Sequence, residues 1–101
     1  MEARNKTAKY VFYIGSNNES HKPEIAKAIE TLNKSVVGYT ILKNSLGLWN
    51  SESEKSFKIE IINTKENPIN DFKAKDLKLL LEKNLKQYLV LCEKSFIQLL
   101  N

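Results

Sequence analysis

One cysteine, one arginine and one histidine are all that the chain holds of three residue types that often mark chemistry. The single thiol, Cys92, excludes a disulfide within one chain and a metal site built of cysteines alone. It sits in the apolar run Tyr88-Leu89-Val90-Leu91-Cys92, where a small buried hydrophobe is the better fit than a nucleophile. With Arg4 the only arginine, positive charge is carried by lysine, and the planar forks that read base edges or clamp phosphates are nearly missing. A net charge of +4, from 16 Lys+Arg against 12 Asp+Glu, is a weak footprint for nucleic acid. His21 has no partner at metal-ligand or general-base spacing, and fits a turn or a helix cap.

The other absences point the same way. Ser16, Ser20 and Ser45 lie in no nucleophile elbow, and Glu52, Glu54 and Glu60 do not form an acid/base pair. The sequence therefore predicts no enzyme, no metal and no cofactor. No apolar stretch approaches the ~18 residues that span a bilayer. The start, MEARNKTAK, lacks the apolar core of a signal peptide. A soluble, cytoplasmic protein with no membrane contact is expected.

What is present describes one domain over residues 1–101, with a hydrophobic fraction of 42%. Residues 1–8 read as a flexible terminus. Tyr10 to Ile14, closed by Gly15, reads as a central strand. After the turn-rich stretch 15–21, Pro23 to Lys34 reads as a helix with Ile25, Ile29 and Leu32 on one face. Tyr39 to Leu42 opens a second strand, and Phe57, Ile59 and Ile61 give a third its alternation. Ala74 to Lys86 carries a second apolar stripe, Leu77, Leu80, Leu81 and Leu85. Tyr88 to Cys92 reads as a fourth strand, and 93–100 as a fifth short strand or a docked segment.

The order βαββαβ predicts an α+β, ferredoxin-like sandwich: a four-stranded antiparallel sheet with two helices on one face. Its other face would carry either Tyr10, Phe12 and Ile14 or Val11 and Tyr13. Both sets are apolar enough to predict self-association.

The richest stretch is residues 44–55, read as a long functional loop between the second and third strands. Trp49 offers a flat face that stacks on a ring, or folds back as a plug over the sheet edge; the two readings weigh equally. Gly47 admits a close backbone approach. Polar groups after the first strand, including Asn17, precede a helix N-terminus and suit an anionic or hydroxyl-rich ligand, as does plain turn composition. Glu60, between Ile59 and Ile61, fits exposed alternation first and a hydrogen-bonding role in an interface cleft second.

These residues carry a resemblance. YVFYIGSNNE, then GYT, GLW and EKSFKIEII, resemble small phage- and plasmid-associated proteins with a PII-like sandwich. The matching positions are Gly15, Asn17 and Asn18; Gly38, Thr40 and Ile41; Gly47 and Trp49; and Glu54 and Ser56. The resemblance implies a PII-like homotrimer, with ligands, often adenine nucleotides, in clefts between subunits bordered by the loop after the second strand. The chain departs from the signalling members of that class in lacking a glycine-rich phosphate loop.

The expected function is non-enzymatic: a homo-oligomer holding a nucleotide-like or anionic small molecule, in the manner of a phage protein sequestering a host signalling nucleotide. The ligand-binding set is Asn17, Thr40, Lys43, Gly47, Trp49, Glu54, Lys55 and Ser56. Trp49 stacks, Asn17, Thr40 and Ser56 hydrogen-bond, and Lys43 and Lys55 steer negative charge. The alternative is a protein-interaction module, such as a phage inhibitor of a host enzyme or defence complex, that engages its partner through 44–55.

Overall fold

The computed structural model describes residues 6–15, 22–49, 52–98 and 100, with the backbone alone at 44–49 and 52–55. Six elements follow one another: β1 (Lys6–Gly15), α1 (Lys22–Asn33), β2 (Thr40–Trp49), β3 (Glu52–Ile62), α2 (Asp71–Asn84) and β4 (Leu91–Gln98). The sheet runs β2-β3-β1-β4, with every neighbouring pair antiparallel. This is the ferredoxin-like arrangement the βαββαβ order predicts.

Alternation along β1 divides the molecule into two faces. Tyr10, Phe12 and Ile14 turn inward to meet Phe57, Ile59 and Ile61 of β3, under Ala28 and Leu32 of α1 and Ala74, Leu77 and Leu81 of α2. Lys9, Val11 and Tyr13 turn to the face without helices. There Val11 is still only 4% exposed, flanked in its cross-strand row by Glu60 and Glu93. The open face is thus more mixed than the sequence predicts: Lys9, Lys58, Glu60 and Glu93 stand among Leu42, Ile62, Leu91 and Ile97.

Three boundaries differ from the sequence reading. Residues 44–55 are not a long loop, because β2 continues to Trp49 and β3 starts at Glu52, leaving only 50 and 51, outside the described residues, between them. A one-residue bulge between Leu42 and Ser45 breaks the alternation that would have revealed the strand. The fourth strand lies later than 88–92, and 93–98 belongs to it rather than to a fifth strand. Tyr88 and Leu89 are exposed; of that apolar run Val90 is buried in the core and Cys92 packs half-buried against it. At the start, β1 includes Lys6 to Ala8, which the flexible-terminus reading had excluded, and residues 1–5 lie outside the described ones. No helix among the described residues is long and apolar enough to cross a membrane.

Helix α2 begins before Ala74 because Asn70 caps it, its Oδ1 accepting from the Lys73 N–H at 2.8 Å. It ends with Lys86 at φ 54°, while the Gln87 N–H donates to the Glu82 carbonyl at 2.9 Å. A lysine in this left-handed position is strained where glycine is not. Lys86→Gly is expected to raise stability by about 1 kcal/mol, read from the urea midpoint at unchanged slope.

Asp71, in the first turn of α2, accepts a 2.6 Å bond from the Tyr10 hydroxyl and pairs with Lys94 at 2.8 Å. Lys94 and then Tyr10 hold the Asp71 carboxyl below its usual range, while burial and then Asp71 push the Tyr10 phenol up. A depressed carboxyl stabilises the fold above its unfolded pKa and loses that contribution as pH falls through the folded value. A raised phenol favours the fold below its unfolded pKa and loses that as pH rises through the folded one. Asp71→Asn is therefore expected to flatten the acid limb of the stability profile, measured by thermal melts from pH 2 to 7.

Candidate functional site

The connector between β3 and α2 is polar by sequence, and one of its side chains organises the edge of the sheet. Asn67 accepts at Oδ1 from the Val37 N–H (2.9 Å) and the Gly38 N–H (3.2 Å). Its Nδ2 donates to the carbonyls of Gly38 (2.8 Å) and Ile62 (3.4 Å). Its own N–H donates to Thr64 Oγ1 at 3.0 Å. One amide thereby fastens the α1–β2 connector to the end of β3. Beside it, the Tyr39 hydroxyl donates to Asn33 Oδ1 at 2.8 Å, tying the start of β2 to the end of α1.

This clasp frames a hollow of about 230 Å³ lined by Gly38, Tyr39, Thr40, Glu60, Ile62, Thr64 and Asn67. Thr40 and Glu60 are direct cross-strand neighbours, so a hydroxyl and a carboxylate project side by side onto the open face. That pair offers acceptors and one hydroxyl donor. Ribose hydroxyls and ring amines suit it better than bare phosphate does. The row Thr40–Glu60–Val11–Glu93 continues the surface across all four strands, and the next row is Leu42–Lys58–Tyr13–Leu91. Tyr13 donates to Glu93 Oε1 at 2.8 Å, and Lys58 lies 5.8 Å from its ring centroid. That carboxylate, followed by burial, pushes the Tyr13 phenol up.

From Leu46↔Lys55 to Trp49↔Glu52 the β2–β3 ladder continues past the last described β1 pair, Gly15↔Ser56. At roughly 3.3 Å per residue this two-stranded ribbon runs about 13 Å beyond that pair.

The expected binding residues divide between these two places. Thr40 lines the hollow, and Lys43 is exposed in the bulge of β2. Ser56 lies where the ribbon leaves the sheet, while Gly47, Trp49, Glu54 and Lys55 occupy the ribbon, with their side chains outside the described residues. Asn17 also lies outside the described residues. Thr40 and Trp49 are nine positions apart on one strand, about 30 Å of backbone at the same rise. The sequence reading did not single out Asn67, although the turn signal Asn67-Pro68 three residues after Thr64 was there to find it. Among the described residues, no three His, Cys, Asp or Glu side chains gather as a metal site.

The fold and the strand order define a PII-like, ferredoxin-like architecture. Among solved structures, the chain is similar to CPII from Thiomonas intermedia K12, a nitrogen regulatory PII-like protein bound to ADP, AMP and bicarbonate. The TM-score is 0.56 at 16% identity, covering 95% of this chain and 94% of that one. The apo form of CPII gives a TM-score of 0.54 at 16% identity, covering 93% of this chain and 91% of that one. No protein-family model matches the sequence, and no curated protein matches it either.

Proposed function

We propose that the chain is a non-enzymatic, homo-oligomeric binding protein that holds a nucleotide-like ligand in clefts between copies, three copies as the PII-like resemblance implies. The observation that carries this reading is the half-formed hollow at Thr40 and Glu60. At about 230 Å³ it falls below the roughly 300–1,000 Å³ of a complete ligand pocket, and it opens onto the uncovered sheet face. A second copy on that face supplies the missing wall. The 30 Å between Thr40 and Trp49 then becomes intelligible, because the hollow of one copy and the ribbon of another border the same cleft. The ADP and AMP bound by CPII support adenine nucleotides as the ligands to try first. Thr40 and Glu60 take the sugar or base, and Lys43 and Lys55 face the phosphates.

Thermal melts with AMP, ADP and cyclic oligonucleotides test the reading. A ligand at about a hundred times its Kd adds ~2.7 kcal/mol of stability, so a true ligand raises the midpoint by several degrees. Thr40→Ala and Trp49→Ala are expected to abolish that rise while leaving the unliganded melt in place. Failure of every nucleotide to move the midpoint, in protein that carries none from purification, rejects the reading. A sequestering role, implied by the likeness to phage proteins, adds the expectation that the ligand co-purifies.

The ribbon favours a second reading. Among the described residues no third strand pairs with it, and a ribbon edge of this kind suits docking on a partner strand. A protein-interaction module would recover one stoichiometric host protein in a pulldown, and lose it when 46–53 is deleted.

A further inference from the structure

On the layer opposite the open sheet face, α1 and α2 leave a groove of about 290 Å³ between them. Sequence spacing builds its walls: Lys27, Glu30, Thr31 and Lys34 fall on one face of α1 and its last turn, opposite Leu80 and Asn84 of α2. Thr31, 5% exposed, donates through Oγ1 to the Lys27 carbonyl at 2.9 Å and accepts from Asn84 Nδ2 at 2.8 Å. With its nitrogen so engaged, Asn84 keeps its carbonyl oxygen as an acceptor. Leu80, 39% exposed, supplies the apolar floor.

The charges in this groove are unspent. Glu30 stands one turn from both lysines, a spacing at which Glu and Lys pair readily. Lys78 and Glu82 at that spacing close to 2.7 Å. Yet among the described residues Lys27, Glu30 and Lys34 enter no ion pair. A plain anion in the groove would meet Glu30, and a plain cation would meet two lysines. A molecule carrying both signs satisfies all three.

We propose that the groove binds a small zwitterion of the α-amino-acid class. Its carboxylate lies on Lys34 and the Ser35 hydroxyl, its ammonium on Glu30 and the Asn84 carbonyl, and its side chain crosses Leu80 toward Lys27, which favours an acidic terminus. The volume suits an amino acid and is tight for a nucleotide. The groove shares no lining residue with the hollow at Thr40 and stands whether or not that hollow binds nucleotides.

Backbone-amide NMR titrations with glutamate, alanine, glutarate and 1,4-diaminobutane, at fixed ionic strength, test it. Glutamate is expected to shift the amides of 27–35 and 80–84, with glutarate and the diamine weaker by about tenfold or more, the scale of one charge-assisted bond lost. Lys34→Ala should weaken glutamate by a similar factor, and Glu30→Gln should bring glutarate level with glutamate. Both positions are exposed, and an unchanged melting midpoint certifies the variants as folded. The proposal is overturned if glutamate leaves those amides unmoved, if glutarate binds the unmodified protein as tightly as glutamate, or if Lys34→Ala binds as before.

Discussion

Phe12→Ala is expected to remove about 3–5 kcal/mol of stability, a large share of the roughly 5–15 kcal/mol typical of a folded domain. Phe12 is 0% exposed and central to β1, the strand paired on both sides, with Ile59 opposite on β3 and Cys92 opposite on β4. Losing its ring opens a cavity where sheet and helices meet, and neighbours held in two ladders cannot collapse to fill it. The matched control is Phe72→Ala. That ring is 80% exposed on α2, and its loss should stay within about 0.5 kcal/mol. Urea titrations of the two variants separate a core phenylalanine from a surface one, and equal losses would contradict the division of faces.

Asn67→Ala carries the second large effect, about 2–3 kcal/mol, because one side chain satisfies four backbone groups, three in the α1–β2 connector and one at the end of β3. Truncation leaves the Val37 and Gly38 N–H groups and the Gly38 and Ile62 carbonyls to find water at a partly buried seam. Asn67→Asp separates the two halves of the clasp: it keeps the acceptor for Val37 and Gly38 and loses the donor to Gly38 and Ile62. A smaller loss than for alanine is expected. Both variants should also loosen the walls around Thr40. Any ligand held there is then expected to lose affinity beyond what the change in melting temperature accounts for, measured by calorimetric titration.

The fold was legible in the sequence because β1, β3 and the two helices bury one face each, and periodicity records burial. Phe57, Ile59 and Ile61 announced β3, and Leu77 and Leu81 announced α2. The parts that were misread are those where pairing or capping, not burial, fixes the backbone. The ribbon at 46–49 and 52–55 extends the β2–β3 ladder past the Gly15 pair, and the bulge at Leu42 to Ser45 shifts its phase. The run Tyr88 to Cys92 is apolar enough for a strand, yet the left-handed turn at Lys86 and the bond from the Val90 N–H to Glu82 Oε2, 2.9 Å, make 88–90 a connector and delay β4 to Leu91. Of the site, Thr40 came with the PII-like resemblance and alternation gave Glu60 its interface option. The Asn67-Pro68 signal marks a turn, but the partners of Asn67, 29 and 30 residues away, follow only from the fold.

The open face ties the account together. Its rows mix Val11, Tyr13, Leu42, Ile62, Leu91 and Ile97 with two lysines and two glutamates. A surface of this kind resists non-specific clumping while offering apolar side chains to a second copy. In the proposed assembly a second copy would also complete the hollow at Thr40. Sedimentation equilibrium on the purified chain, at micromolar concentration with and without ADP, is the direct test. A mass that is a whole multiple of the 11.6 kDa subunit, three in the form proposed, falling to one subunit on Val11→Glu, is the predicted result. A single subunit at every concentration, with nucleotide present, would contradict the claim that the cleft forms between copies.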